Sequence, residues 1–158
     1  MPCADRCIAS RTTSATRPRP NIGPASDWRG EFARRTTTNW PYINLDIASD
    51  FADRISGADV TVTYFDGDAG AKGSRWELWY DSRSGEKKWK DEVVLGGSGQ
   101  WKDITFRLDD AAFKNRLPKA NPNSRATGFD LSLRRADGVD DIFHSVVVKP
   151  LAAATITV

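Results

Sequence analysis

Five stretches of this chain alternate apolar and polar residues with a period of two, and that alternation restricts the fold more than any other feature. In Tyr42-Ile-Asn-Leu-Asp-Ile, Ile43, Leu45 and Ile47 share one face, and Tyr42, Asn44 and Asp46 share the other. Val60, Val62 and Tyr64 line up in Asp59–Phe65. In Arg75-Trp-Glu-Leu-Trp-Tyr-Asp, Trp76, Leu78 and Tyr80 point one way, and Glu77, Trp79 and Asp81 point the other. Ile104, Phe106 and Leu108 alternate in the next stretch, and Phe129, Leu131 and Leu133 in the last. A sixth segment, Ile142-Phe-His-Ser-Val-Val-Val, becomes apolar on both faces, as a more deeply buried strand does. Ala154–Val158 reads as a further strand. Short strands without intervening helices predict antiparallel pairing, and one dry face per sheet predicts a two-sheet, all-β sandwich of the jelly-roll kind, with a closed barrel as the alternative.

Turn chemistry separates the strands. Asp66-Gly-Asp-Ala-Gly and Asp137-Gly tolerate positive φ and favour hairpins, and Gly96-Gly-Ser-Gly reads as a mobile connector. Only Asp109-Asp-Ala-Ala-Phe-Lys-Asn-Arg looks helical, for one turn or two. Residues 1–26 show no apolar periodicity and carry an Arg/Pro/Ser/Thr-rich stretch, so they read as a flexible, disordered tail ahead of a domain over 27–158.

Charge is uneven. The first 35 residues hold seven Arg and three acids, whereas the rest hold 16 basic and 18 acidic groups. The body therefore offers no electrostatic case for nucleic acid. No apolar run approaches the length of a membrane span, and the N-terminus lacks the layout of a signal peptide. The two cysteines, Cys3 and Cys7, form a C-x3-C pair without the further ligands a zinc site needs.

Catalytic constellations are sparse. His144 is the only imidazole, and its parity with Ile142, Val146 and Val148 reads as a partly buried structural residue. No G-x-S-x-G elbow exists. Glu77 and Asp81 share a strand face but stand about 13 Å apart along it, too far for either glycosidase geometry. A carboxylate pair drawn from different strands stays open, as does a lyase arrangement using Tyr42 and Arg134. Transition metals lack a His or Cys cluster, while calcium takes carboxylates and carbonyls. Asp66/Asp68, Asp109/Asp110 and Asp137/Asp140/Asp141 could supply these, and the last set is the candidate metal site.

The six tryptophans carry the strongest functional signal. Trp76 is placed inward by parity, and Trp101 covers the end of a core. Trp79 points outward between Glu77 and Asp81. Trp89 lies among charges in Glu86-Lys-Lys-Trp-Lys-Asp, and Trp40 enters a strand through Thr-Thr-Thr-Asn-Trp-Pro. Exposed indoles beside hydrogen-bonding groups suit sugars, whose C–H patch stacks on the ring while polar side chains take the hydroxyls. The candidate ligand residues are Trp79, Trp89, Trp40, Tyr42, Glu77, Asp81 and Arg134.

With those residues in view, the chain resembles carbohydrate-binding-module-type domains of the galactose-binding-like sandwich group, accessory domains found beside polysaccharide-degrading catalytic domains in bacteria. The segments that carry the resemblance are Phe32-Ala-Arg-Arg-Thr-Thr-Thr-Asn-Trp-Pro-Tyr-Ile-Asn-Leu-Asp-Ile, Val60-Thr-Val-Thr-Tyr-Phe-Asp, Trp76-Glu-Leu-Trp-Tyr-Asp-Ser, Gly99-Gln-Trp-Lys-Asp-Ile-Thr-Phe-Arg-Leu-Asp-Asp-Ala-Ala-Phe-Lys-Asn-Arg and Asp140-Asp-Ile-Phe-His-Ser-Val-Val-Val. The run around Trp101 is the most specific, and in it Phe113 would plug the core. The resemblance covers about residues 30–150. It implies polysaccharide or oligosaccharide binding without catalysis, no cofactor beyond one structural calcium, an extracellular location, and a catalytic domain in a parent protein. The alternative is a small sandwich glycoside hydrolase or polysaccharide lyase.

Overall fold

The computed structural model describes residues 7–8, 33–89, 91–117 and 128–151. Among the described residues, ten strands form two antiparallel sheets. In chain order they are β1 (Cys7–Ile8), β2 (Arg34–Arg35), β3 (Tyr42–Leu45), β4 (Ala58–Phe65), β5 (Arg75–Ser82), β6 (Gly85–Lys88), β7 (Val93–Val94), β8 (Trp101–Leu108), β9 (Leu131–Arg135) and β10 (Ile142–Pro150). The first sheet runs β1-β10-β4-β8, with β2 also on β10. The second runs β3-β9-β5-β6, with β7 also on β5. This is the expected sandwich. The expected strand over 154–158 and most of the expected tail lie outside the described residues. Within the tail, Cys7–Ile8 pairs with Val148 and Val147 of β10.

The alternation places the core as expected. Val60, Val62, Tyr64, Phe106 and Leu108 of the first sheet face Trp76, Leu78, Tyr80, Leu131 and Leu133 of the second, all buried. Trp76 joins the two layers. Its ring lies edge-on to Phe143 at 5.0 Å, Tyr64 at 5.4 Å and Phe106 at 5.9 Å, all from the opposite sheet. Such edge-to-face contacts add to the area each ring buries.

Three local expectations change. The Asp66 and Asp137 turns do not close hairpins, because β4 and β5 lie in different sheets, as do β9 and β10. They are corners between the layers. The tight hairpin is instead β5–β6, where Ser82 pairs with Gly85 and Gly85 adopts φ 108. The stretch expected to be helical, 109–116, is irregular. Phe113 and Asn115 take φ of 48 and 57, which no right-handed helix contains. Phe113 nevertheless fills the core as expected. The described helix is a single turn, α1 (Ser49–Ala52).

Trp76→Ala should cost about 3–5 kcal/mol, as large-to-small changes at buried rings do. Phe106→Ala and Leu131→Ala should cost roughly 2–5 kcal/mol each. Urea unfolding measures all three, and costs under about 0.5 kcal/mol would mean the strand faces are reversed.

Candidate functional site on the outer face of the second sheet

Antiparallel register converts four sequence segments into two cross-strand rows. Tyr42 of β3 pairs with Arg134 of β9, which pairs with Glu77 of β5. Asn44 pairs with Ser132, which pairs with Trp79, which pairs with Lys88 of β6. Residues directly opposite on one sheet face interact, and those two rows form a connected network. Ser132 Oγ donates to Asn44 Oδ1 at 2.7 Å, and Arg134 Nε donates to Ser132 Oγ at 3.1 Å. Arg134 Nη2 donates to Glu86 Oε1 at 2.7 Å. Trp79 Nε1 donates to Glu77 Oε2 at 2.6 Å. The Arg134 guanidinium carbon stands 4.2 Å from the centre of the Trp79 ring. Four candidate residues, Trp79, Tyr42, Glu77 and Arg134, therefore share one surface. Trp79 is outward as expected, but a guanidinium covers one side of its ring.

A third row closes one end of this face. Asp81 and Asp130 are adjacent, since the Asp81 N–H donates to the Asp130 carbonyl at 2.9 Å. Both side chains are sealed by residues 110–117. Lys114 N and Arg116 N donate to Asp81 Oδ2 at 2.6 and 3.1 Å, and Arg116 Nε donates to Oδ1 at 2.9 Å. Asn115 N donates to Asp130 Oδ1 at 2.8 Å, and Ile47 N to Oδ2 at 2.8 Å. In the amide orientation that satisfies its neighbours, Asn115 also donates to Asp46 Oδ1 at 2.6 Å and to the Gly128 carbonyl at 3.2 Å. A side chain at Gly128 would meet the Asn115 carbonyl at 1.8 Å, so only glycine fits beneath this loop.

Asp81 is thus corrected. It shares the parity of Trp79 but is fully buried as an anchor for the loop and cannot touch a ligand. Trp89 is half-buried, with its ring packed edge-on to Phe106 at 5.7 Å at the margin of the core. Trp40 is 49% exposed on the turn that precedes β3. Trp28 lies outside the described residues. His144 sits on the other sheet, edge-on to Trp101 at 5.9 Å, where the β10 register shifts between Phe143 and Ser145.

Asn44, Ser132 and Glu86 were not among the candidates. The first two were within reach of the alternation, since they share faces with Tyr42 and Arg134. Glu86 lies on β6, a charged four-residue strand with no apolar signature.

The chemistry of the acids is set by access. Burial, against hydrogen bonds from Ile47 and Asn115 and with Asp46 nearby, pushes Asp130 up to about 6. That suits a general acid, but Asp130 is fully buried under the loop. Among the candidate metal ligands, Asp137 Oδ2 accepts from Arg75 N at 2.7 Å and Oδ1 from Val139 N at 2.8 Å. Asp140 pairs with Arg135 at 3.3 Å. Asp141 is buried, and neither of its carboxylate oxygens has a hydrogen-bond partner. Burial, then the Asp137 charge, raises it to about 8 against the pull of Arg135. Among the described residues no three His, Cys, Asp or Glu side chains are grouped so as to hold a metal ion. Asp137 and Asp140 therefore do not join Asp141 in a cage. No helix among the described residues is long and apolar enough to cross a membrane.

Comparison with protein families, with curated proteins and with solved structures found no match.

Asp66 is a structural acid. It accepts from Gly96 N at 2.7 Å and Ser98 Oγ at 2.7 Å and pairs with Lys102 at 2.6 Å. Burial pushes its carboxyl up, but bonds from Lys102, Ser98 and Gly96 outweigh that and hold it at about 2. Its unfolded value is higher, 3.8, so it stabilises the fold above pH 3.8 and ceases to do so as pH falls through 2. Asp66→Asn should cost roughly 2 kcal/mol at pH 7, converted from that shift, and much less at pH 2. A cost that does not vary with pH would contradict this.

Proposed function

We propose that the outer face of the second sheet binds a polysaccharide or oligosaccharide without cleaving it. The observation that carries this reading is the pair of cross-strand rows. They set an indole, a phenol, an amide, a guanidinium and a carboxylate side by side on strands rather than on loops. Sugars need that combination, with flat apolar area for C–H groups and directional partners for hydroxyls. Strand placement holds these groups in position, which lowers the ordering cost of binding. The resemblance in the sequence points the same way, and with it to an extracellular module carried beside a catalytic domain. Against a hydrolase stands the sealing of Asp130, the acid with the fitting proton affinity.

A polysaccharide panel tests this. The expected result is retention on at least one polymer, with no new reducing ends and no unsaturated products. Products would establish the hydrolase or lyase reading instead. Trp79→Ala should fold normally and weaken binding by about 1–3 kcal/mol, a range taken from base stacking on aromatic rings. Unchanged binding would move the site to Trp40 and Tyr42.

One structural calcium is a second proposal, supported by the two bare oxygens of Asp141. Asp141 would supply the carboxylate, with backbone carbonyls and water completing a shell of six to eight oxygens. Calcium should raise the melting temperature, EDTA should reverse the rise, and Asp141→Asn should abolish the response. Indifference to calcium, with Asp141→Asn more stable than the parent at pH 8, would show Asp141 to be a buried neutral acid.

A further inference from the structure

We infer that the ligand of this face is an acidic glycan, and that Arg134 recognises its carboxylate or sulfate. The inference rests on the carbohydrate-binding reading above and specifies the ligand class.

Trp79 is already occupied on both its ring and its N–H. Its ring carries the Arg134 guanidinium at 4.2 Å, and its N–H is spent on Glu77. A neutral sugar that stacked on the covered side would have to displace a cation from an aromatic ring and also break the Arg134–Glu86 ion pair. An acidic sugar leaves the cation on the ring and exchanges the Glu86 carboxylate for its own anion, so the guanidinium stays paired. Guanidinium has five N–H donors in a planar fork. Among the described residues, one is bound to Ser132 and one to Glu86. Three donors remain, arranged in the plane that bidentate carboxylate recognition uses.

Placement supports the same role. Arg134 is held from three sides, by the Trp79 ring, Ser132 and Glu86. A side chain so restrained loses little freedom when it binds. Its side chain is 23% exposed and that of Glu86 is 29% exposed, so the pair is reachable from solvent. Glu86 then acts as a stand-in anion. A ligand carboxylate or sulfate replaces it on the guanidinium while the Arg134–Trp79 stack persists. Tyr42 flanks Arg134 in the same row and offers its ring and hydroxyl to the adjoining sugar.

The test uses polymers that differ only in charge. Polygalacturonate is compared with its fully methyl-esterified form, alginate with its propylene-glycol ester, and chondroitin sulfate with desulfated, carboxyl-methylated chondroitin, each by calorimetry against the full chain. Binding of at least one acidic polymer, at least tenfold tighter than its esterified form and weakening with added salt, is expected. Arg134→Gln should reduce that binding at least tenfold with its melting temperature little changed. Glu86→Gln should strengthen it several-fold, since the competing carboxylate is gone. Should Arg134→Gln fail to fold, Glu86→Gln alone decides the matter, because weaker or unchanged binding there overturns the proposal. Equal binding of charged and esterified forms, or tighter binding of a neutral glycan by Arg134→Gln, would make Arg134 a cover over Trp79 and overturn the anionic ligand while leaving glycan binding intact. Absence of binding to every polymer, charged and neutral, would overturn both readings.

Discussion

The two layers of this protein meet on one indole. Trp76 comes from β5 of the second sheet, and the rings that surround it, Tyr64, Phe106 and Phe143, come from β4, β8 and β10 of the first. A single strand therefore has its inner face committed at Trp76, Leu78 and Tyr80. Because side chains alternate, that commitment forces Glu77 and Trp79 onto the outer face. The core contact and the ligand face are two consequences of one strand phase. A slip of one residue would turn Glu77, Trp79 and Asp81 inward and Trp76, Leu78 and Tyr80 outward, and lose both.

The second constraint is the clamp over Asp81 and Asp130. Two neighbouring carboxylates draw the backbone N–H groups of Lys114, Asn115 and Arg116 onto the sheet. Hydrogen bonds to charged groups are the stronger kind, and buried ones are costly to lose. They hold Asn115 at a φ that its short polar side chain tolerates better than most residues do. The outcome is a face that is closed by protein at one end and lined by Trp79, Arg134 and Tyr42 beyond it. The clamp thus decides which outward residues of β5 can meet a ligand, leaving Glu77 and Trp79 in and Asp81 out.

Much of this was legible in the residue order. Alternation alone separates Trp76 from Trp79 and puts Tyr42, Asn44, Glu77 and Arg134 on outward faces, because strand parity is a local property. What local pattern could not show was which outward residues another segment covers. Asp81 is buried by a loop 33 residues further on. Trp89 looks solvated among lysines but reaches Phe106. The stretch 109–116 has helix-like composition, yet Asp81 claims its donors, and tertiary hydrogen bonds outweigh propensity. The Asp66 and Asp137 turns carry hairpin chemistry, but whether a turn joins neighbours or crosses between sheets depends on the global topology. The contact between Arg134 and Trp79 joins residues of β9 and β5, and only register brings them together.

The most direct test is to follow the six indole N–H resonances by NMR while acidic oligosaccharides are titrated in. The account predicts that the Trp79 indole moves most, because its N–H is bonded to Glu77 beside the guanidinium that receives the anion. Trp76, sealed between the sheets, should stay still. Shifts centred on Trp40, or on Trp101 beside His144 on the other sheet, would place the ligand elsewhere and contradict the account.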